Sequence, residues 1–162
     1  MGREGPQRVE IERKFVLGQP PEGVDAHPRR RIEQGYLALG ADGVEVRVRR
    51  SDDDTTLTVK SAPGLVRVEE EIAIDERQFT SLWELSEGRR VAKTRYLVPL
   101  QDGLTAEVDV YDDALAGLHT AEIEFPSEAA SLAFRPPPWL GVEVTGDERY
   151  ANRSLALTGI PS

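Results

Sequence analysis

Val44-Glu45-Val46-Arg47-Val48-Arg49 alternates apolar and charged residues without a break. Successive side chains of a strand point to opposite faces, so this stretch reads as a β-strand with one apolar and one charged face. The same period recurs on both sides of it. Upstream, Val9-Glu10-Ile11-Glu12-Arg13-Lys14-Phe15 keeps apolar residues mostly on odd positions, and the run 31–39 leads into the turn signal Gly40-Ala41-Asp42-Gly43. Downstream, Ser51-Asp52-Asp53-Asp54 turns the chain into 56–60, and Ser61-Ala62-Pro63-Gly64 turns it into 66–72. Runs 91–98, 104–111 and 119–125 bring the total to about eight strands at short spacing. That pattern predicts a mainly β chain (α+β), an antiparallel meander or barrel.

Helices are the minority. Asp75 with Gln78 three residues later forms a capping box, Ile74 and Phe79 pair as a hydrophobic staple, and Phe79, Leu82, Trp83 and Ser86 share a face before Gly88. A short helix is expected from Ser127 and another over 148–157, with Pro136-Pro137-Pro138 a rigid elbow before Trp139. The 162 residues are expected to form one domain, 1–162, with residues 1–7 flexible.

Composition narrows the chemistry. The absence of cysteine excludes disulfides, thiolate metal sites and cysteine nucleophiles, and His27 and His119 are too few for a histidine-based metal site. A net charge of −9 argues against a nucleic-acid duplex or an anionic membrane as partner. No span of membrane length and no signal region appears, so a cytoplasmic location is expected. The sequon Asn152-Arg153-Ser154 reads as chance in a chain without a secretion signal.

The charges are sorted by face and by sign. Glu10 with Glu12, Glu69 with Glu71, Glu107 with Asp109, and Glu122 with Glu124 are acidic pairs; Arg47 with Arg49 and Lys93 with Arg95 are basic ones, with Lys14 and Lys60 beside them. Like charges two apart on one strand face gain nothing locally. Solvated strand faces are one reading. The other is an internal site where carboxylates hold a hard divalent cation and Lys and Arg hold phosphate oxygens. Phosphoryl transfer needs chiefly positioning and charge stabilisation, and no G-x-x-x-x-G-K-[ST] loop is present to supply it otherwise.

Glu10-Ile11-Glu12-Arg13-Lys14-Phe15 resembles the E-x-E-x-K signature of the CYTH family, the triphosphate tunnel metalloenzymes. The resemblance continues in family order through Gln34-Gly35-Tyr36-Leu37, Val46-Arg47-Val48-Arg49, Leu57-Thr58-Val59-Lys60, Glu69-Glu70-Glu71, Lys93-Thr94-Arg95-Tyr96, Glu107-Val108-Asp109-Val110, Ala121-Glu122-Ile123-Glu124 and residues 139–145. It implies a closed eight-stranded antiparallel β-barrel forming a charged tunnel, with helices packed outside. By position, Glu10, Glu12, Asp109, Glu122 and Glu124 resemble metal ligands for Mg²⁺ or Mn²⁺. Lys14, Arg47, Arg49, Lys60, Lys93 and Arg95 resemble the phosphate clamps. Glu69, Glu71 and Glu107 are placed to orient a water or a second cation, which puts Glu69 and Glu71 with Lys14 among the expected catalytic groups. Arg149 and Arg153 are weighed as cover for the tunnel mouth against a plain solvated helix, and Arg67 as clamp against internal salt bridge.

The pair His-Phe that precedes the signature in cyclase-type members is absent, because Gln7-Arg8 stand there. The compact length and motif wording look more like the bacterial inorganic triphosphatase type. The expectation is therefore metal-dependent hydrolysis of inorganic tripolyphosphate to diphosphate and phosphate. The alternatives are a class IV-type adenylate cyclase, a thiamine triphosphatase, and a non-catalytic polyphosphate- or nucleotide-binding domain. The expected partner is a small-molecule triphosphate, and the chain is expected as a monomer or homodimer.

Overall fold

The computed structural model describes residues 10–62 and 68–162; Val9, Val66, Arg67 and the 1–7 segment expected to be flexible lie outside them. The alternating runs form strands β1 (Ile11–Val16), β2 (Arg29–Leu39), β3 (Glu45–Ser51), β4 (Asp54–Lys60), β5 (Glu69–Ala73), β6 (Arg90–Pro99), β7 (Thr105–Tyr111) and β8 (His119–Phe125). A two-residue strand β9 (Val142–Glu143) was not legible, because two residues carry no period. The sheet order is β5-β4-β3-β2-β6-β7-β8-β1-β9, with every pair antiparallel.

This order corrects the expected closed eight-stranded barrel: the sheet curls but does not close, and it has nine strands among the described residues. Closure would require β5 to bond β1, and the outer edge of β1 is already used. Phe15 and Val16 pair with β9, Val144 N–H donates to the Lys14 carbonyl at 2.8 Å, and Lys14 N–H donates to Thr145 Oγ1 at 3.0 Å. Gly141 lets the chain approach this edge: its φ of 70° is open to glycine, and a Cβ there would collide with the Val16 carbonyl. At the far end, every residue of β5 is exposed.

The apolar face is convex and carries the main core. Phe15, Val98, Ala106, Val108, Ala121, Ile123 and Phe125 bury against Leu17, Val24 and Leu140. Burying each large side chain here contributes about 1.5–3 kcal/mol, so much of the stabilisation lies outside the curl.

Helix α1 (Glu76–Glu84) forms as the sequence indicates, with Asp75 accepting from Gln78 N–H and Gln78 reaching back to Asp75 N–H. It lies on the outer face because Arg50 stacks over Phe79 at 4.3 Å and Gly35 leaves room for Ser86, where a Cβ would clash. Trp83 packs as expected, stacked on Phe79 at 5.5 Å. Helix α2 (Glu128–Ala133) starts at the Ser127 cap, also outside. The C-terminal helix is shorter than expected, α3 (Asn152–Thr158), with a separate 3₁₀ turn over Glu148–Tyr150. It also departs from the expectation that all helices pack outside. Leu155 and Ala156 bury against Tyr36, Val91 and Tyr111, which share the inner face with the charged residues. Among the described residues, no helix is long and apolar enough to cross a membrane.

Arg13, on the outer face, ties these parts together. It donates to Glu143 at 3.1 and 2.6 Å and to the Ser131 carbonyl at 2.9 Å, and it lies 5.6 Å from the rings of Phe15 and Phe134. Arg13→Ala is expected to cost about 1–3 kcal/mol, read as a melting point lower by several degrees. The folded protein should keep its turnover, and lost kcat at a temperature where the variant is folded would place Arg13 in the site instead.

Candidate active site

Pairing places the predicted residues on one inner face. Glu12 stands opposite Glu124, Lys14 and Glu107 both stand opposite Glu122, and Glu10 immediately precedes β1. Arg95 lies opposite Asp109 and Lys93 opposite Tyr111. On the other half, Arg49 and Arg47 lie opposite Thr56 and Thr58, Lys60 stands between Glu45 and Glu69, and Glu71 lies opposite Thr58. The acidic end is thus formed by β1, β7 and β8, and Arg49 of β3 feels the charge of Arg95 of β6.

One ionic knot centres on Asp109, which is fully buried. Its oxygens accept from Lys93 Nζ at 2.8 Å and from Arg95 Nε and Nη2 at 2.7 and 2.8 Å. Burial alone would raise its pKa, but these two cations outweigh it and hold the carboxyl below the usual range. Arg95 also bonds Glu107 at 2.6 Å, and its guanidinium is held charged by Asp109 against the effect of burial. Asp109 therefore stands as the counter-ion of two basic residues, with both oxygens engaged.

In the second cluster the arginines crowd one another, although Arg47 Nη1 donates to Glu45 at 3.2 Å. Burial lowers the pKa of Arg49, and Arg95 and Arg47 lower it further, while Asp109 and Glu71 counter only in part. The Nε atoms of both Arg47 and Arg49 are buried with no hydrogen-bond partner among the described residues. A buried donor left unpaired costs about 1–3 kcal/mol, so the native fold tolerates here two donors that an anion would satisfy.

The acidic end shows the opposite frustration. The pKa of Glu12 is raised by partial burial and then by Glu122, Glu10 and Glu107, with Lys14 opposing. Among the described residues, no three of these carboxylates gather tightly enough to hold a metal ion alone. Crowded carboxylates beside a cationic cluster suit a hard cation of the Mg²⁺ kind, which takes one or two carboxylates and completes its shell with substrate phosphates. The donor set fits.

Sequence reasoning passed over three groups at the inner face. Tyr36 is buried, accepts from Gln34 Nε2 at 2.7 Å, and has its pKa pushed up to about 12 by burial and by Glu45. Tyr111 is raised likewise by burial and Asp109. Both occupy inward positions of their strands, a parity the sequence already contained. Asn152 gave only its sequon as a signal. It lines, with Glu12, Lys14, Glu122 and residues 144–148 and 151, a cavity of about 330 Å³. A larger cavity, about 720 Å³, lies elsewhere, between Leu104, Phe134 and Trp139, and holds none of the inner-face charges.

The weaker candidates resolve simply. Arg149 is exposed and paired with Asp147 at 2.7 Å, and Arg153 is exposed. Of Arg29-Arg30-Arg31, Arg31 pairs with Asp112 and Arg30 stands opposite Arg95. Asp52-Asp53-Asp54 forms the β3–β4 hairpin, with Asp52 accepting from Arg31 N–H at 2.8 Å.

No family model matches the chain. It is 49% identical over 151 residues to an inorganic triphosphatase of Nitrosomonas europaea, covering 93% of this chain and 98% of that protein. It is 39% identical over 152 residues to an inorganic triphosphatase of Acetivibrio thermocellus, covering 90% and 92%. Among solved structures, the inorganic triphosphatase NE1496 superposes with a TM-score of 0.81 at 45% identity, covering 98% of this chain and all of that one. A Hippeastrum protein described as a putative adenylyl cyclase with a dominant triphosphatase activity aligns at 0.50 and 19% identity, a likeness of fold alone.

Proposed function

Because the chain belongs to the inorganic triphosphatase family, of CYTH type, we propose that its inner face binds tripolyphosphate and hydrolyses it to diphosphate and phosphate with a divalent cation, Mg²⁺ or Mn²⁺. One observation supports this most: the Nε atoms of Arg47 and Arg49 are buried with no hydrogen-bond partner among the described residues, where Arg49 is crowded by Arg95 and Arg47. A small polyanion supplies acceptors for them.

In this reading Arg47, Arg49, Lys60 and Arg95 grip the phosphate oxygens, and Lys14 and Lys93 complete the clamp from β1 and β6. Glu10, Glu12, Glu122 and Glu124 would hold the metal; Asp109 is left out of that set because both its oxygens are engaged. The bound cation would neutralise charge on the phosphoryl oxygens. Glu71, beside the arginines, and Glu69, 3.8 Å from Lys60, orient the attacking water and take its proton. Attack at the terminal phosphorus breaks the bridging P–O bond, so phosphate and diphosphate leave. The clamp stabilises the charge that spreads over the transferring group, which is where catalysis of phosphoryl transfer is concentrated.

Phosphate release is therefore expected from tripolyphosphate with Mg²⁺ or Mn²⁺ and should stop with excess chelator. A panel with ATP and thiamine triphosphate, monitored for phosphate and cyclic AMP, separates the alternatives. Release unaffected by chelation would sink the metal-dependent mechanism, and stabilisation by tripolyphosphate without product would leave a binding domain.

A further inference from the structure

Asn152 is the first residue of α3, whose N-cap is Ala151. Its Oδ1 accepts from Lys93 Nζ at 3.4 Å, 59 positions away on β6. Two residues earlier, the Tyr150 carbonyl accepts from Lys14 Nζ at 2.7 Å, 136 positions away on β1. In the sheet β8 and β7 separate β1 from β6, so residues 150–152 reach two strands that do not touch. Each of the two ammoniums also has one carboxylate beside it: Asp109 at 2.8 Å for Lys93 and Glu122 at 3.2 Å for Lys14. Two acceptors restrict the rotation of an ammonium and leave its third N–H for a ligand.

The segment is itself held in place, because Leu155 and Ala156 are buried against Tyr36, Val91 and Tyr111. The cavity of about 330 Å³ that Asn152 lines also contains Glu12, Lys14 and Glu122. Lys93 is only 2% exposed, its ammonium 5.3 Å from the Tyr111 ring. A long, flexible side chain in such a place needs a second acceptor to fix its direction; Asp109 by itself would let the remaining N–H groups swing.

Resting on the triphosphatase reading, we propose that Asn152 is a positioning residue of the reaction: its carboxamide aims the Lys93 ammonium at the triphosphate, as the Tyr150 carbonyl aims Lys14. The C-terminal segment is then part of the machinery as well as a cover over one end of the sheet.

The test compares native protein, Asn152→Leu and Asn152→Asp by steady-state tripolyphosphate hydrolysis and by thermal melting. Leucine keeps the volume without the acceptor, and kcat should fall about 10- to 100-fold, the range that follows from misplacing a binding group. Aspartate keeps the acceptor, so kcat should stay within about threefold while the added negative charge raises KM about tenfold, a penalty of about 1.4 kcal/mol. Melting points within a few degrees of native are expected for both. Native kcat and KM in Asn152→Leu, or the same loss in both variants, would overturn the proposal, as would a fall in melting point that accounts for the whole effect. No release by the native protein with either metal would overturn the triphosphatase reading first, and the positioning role with it.

Discussion

Asp109→Ala is expected to lower stability by about 3–5 kcal/mol, a drop in melting temperature on the order of 10 °C for a chain of this size. The residue is fully buried and accepts three charge-assisted hydrogen bonds from Lys93 and Arg95. Removing it leaves Lys93 buried without a carboxylate and Arg95 with Glu107 alone. Acid stability carries the same signature. The carboxyl is held below its usual range in the fold, whereas the unfolded chain takes up a proton near about 3.9. Its contribution is thus fully present above that value and lost as pH falls toward the folded pKa. Asp109→Asn should accordingly flatten the acid limb of the stability profile. Urea melts from pH 3 to 8 would measure both effects. An alanine variant melting within about 2 °C of native would show that the knot is not structural.

Arg49→Met should separate stability from function. The free protein is expected to be as stable as native or slightly more so, because replacing a poorly compensated buried cation by an apolar side chain of similar volume is often neutral or stabilising. Burial, Arg95 and Arg47 all disfavour the charged guanidinium, Asp109 and Glu71 opposing them, and its Nε has no partner among the described residues. Turnover of tripolyphosphate should nevertheless fall on the order of 10³-fold, the scale on which an arginine serves phosphoryl transfer, and the melting-point rise that tripolyphosphate produces should shrink. Melting with and without tripolyphosphate in chelator, together with kcat/KM, checks the prediction. A variant both less stable and fully active would refute it.

Much of the candidate site was legible because a strand alternates faces residue by residue. Glu12 and Lys14, Arg47 and Arg49, Lys93 and Arg95, and Glu122 and Glu124 each share a face through parity alone, and the pairing registers place all of them inward. The capping box of α1 was legible for the same reason: Asp75 and Gln78 are three residues apart. Asp109 shows the limit. Its position on the charged face followed from parity, but the two cations that occupy its oxygens come from another strand, 14 and 16 residues earlier. Asn152 shows it more strongly, since nothing within several residues of it refers to Lys93.

From sequence alone, then, came the strands, their charged and apolar sides, and the sorting of like charges that suggested metal and polyphosphate. These depend on the local geometry of a pleated chain. Whether the sheet closes, which acid neutralises which base, and what covers the inner face were decided only in the folded molecule. A sheet ends where an edge finds another partner, as β1 does in β9, and an ion pair is chosen by distances between residues far apart in the chain. That is why the expected barrel is an open curl, and why α3 lies against the inner face.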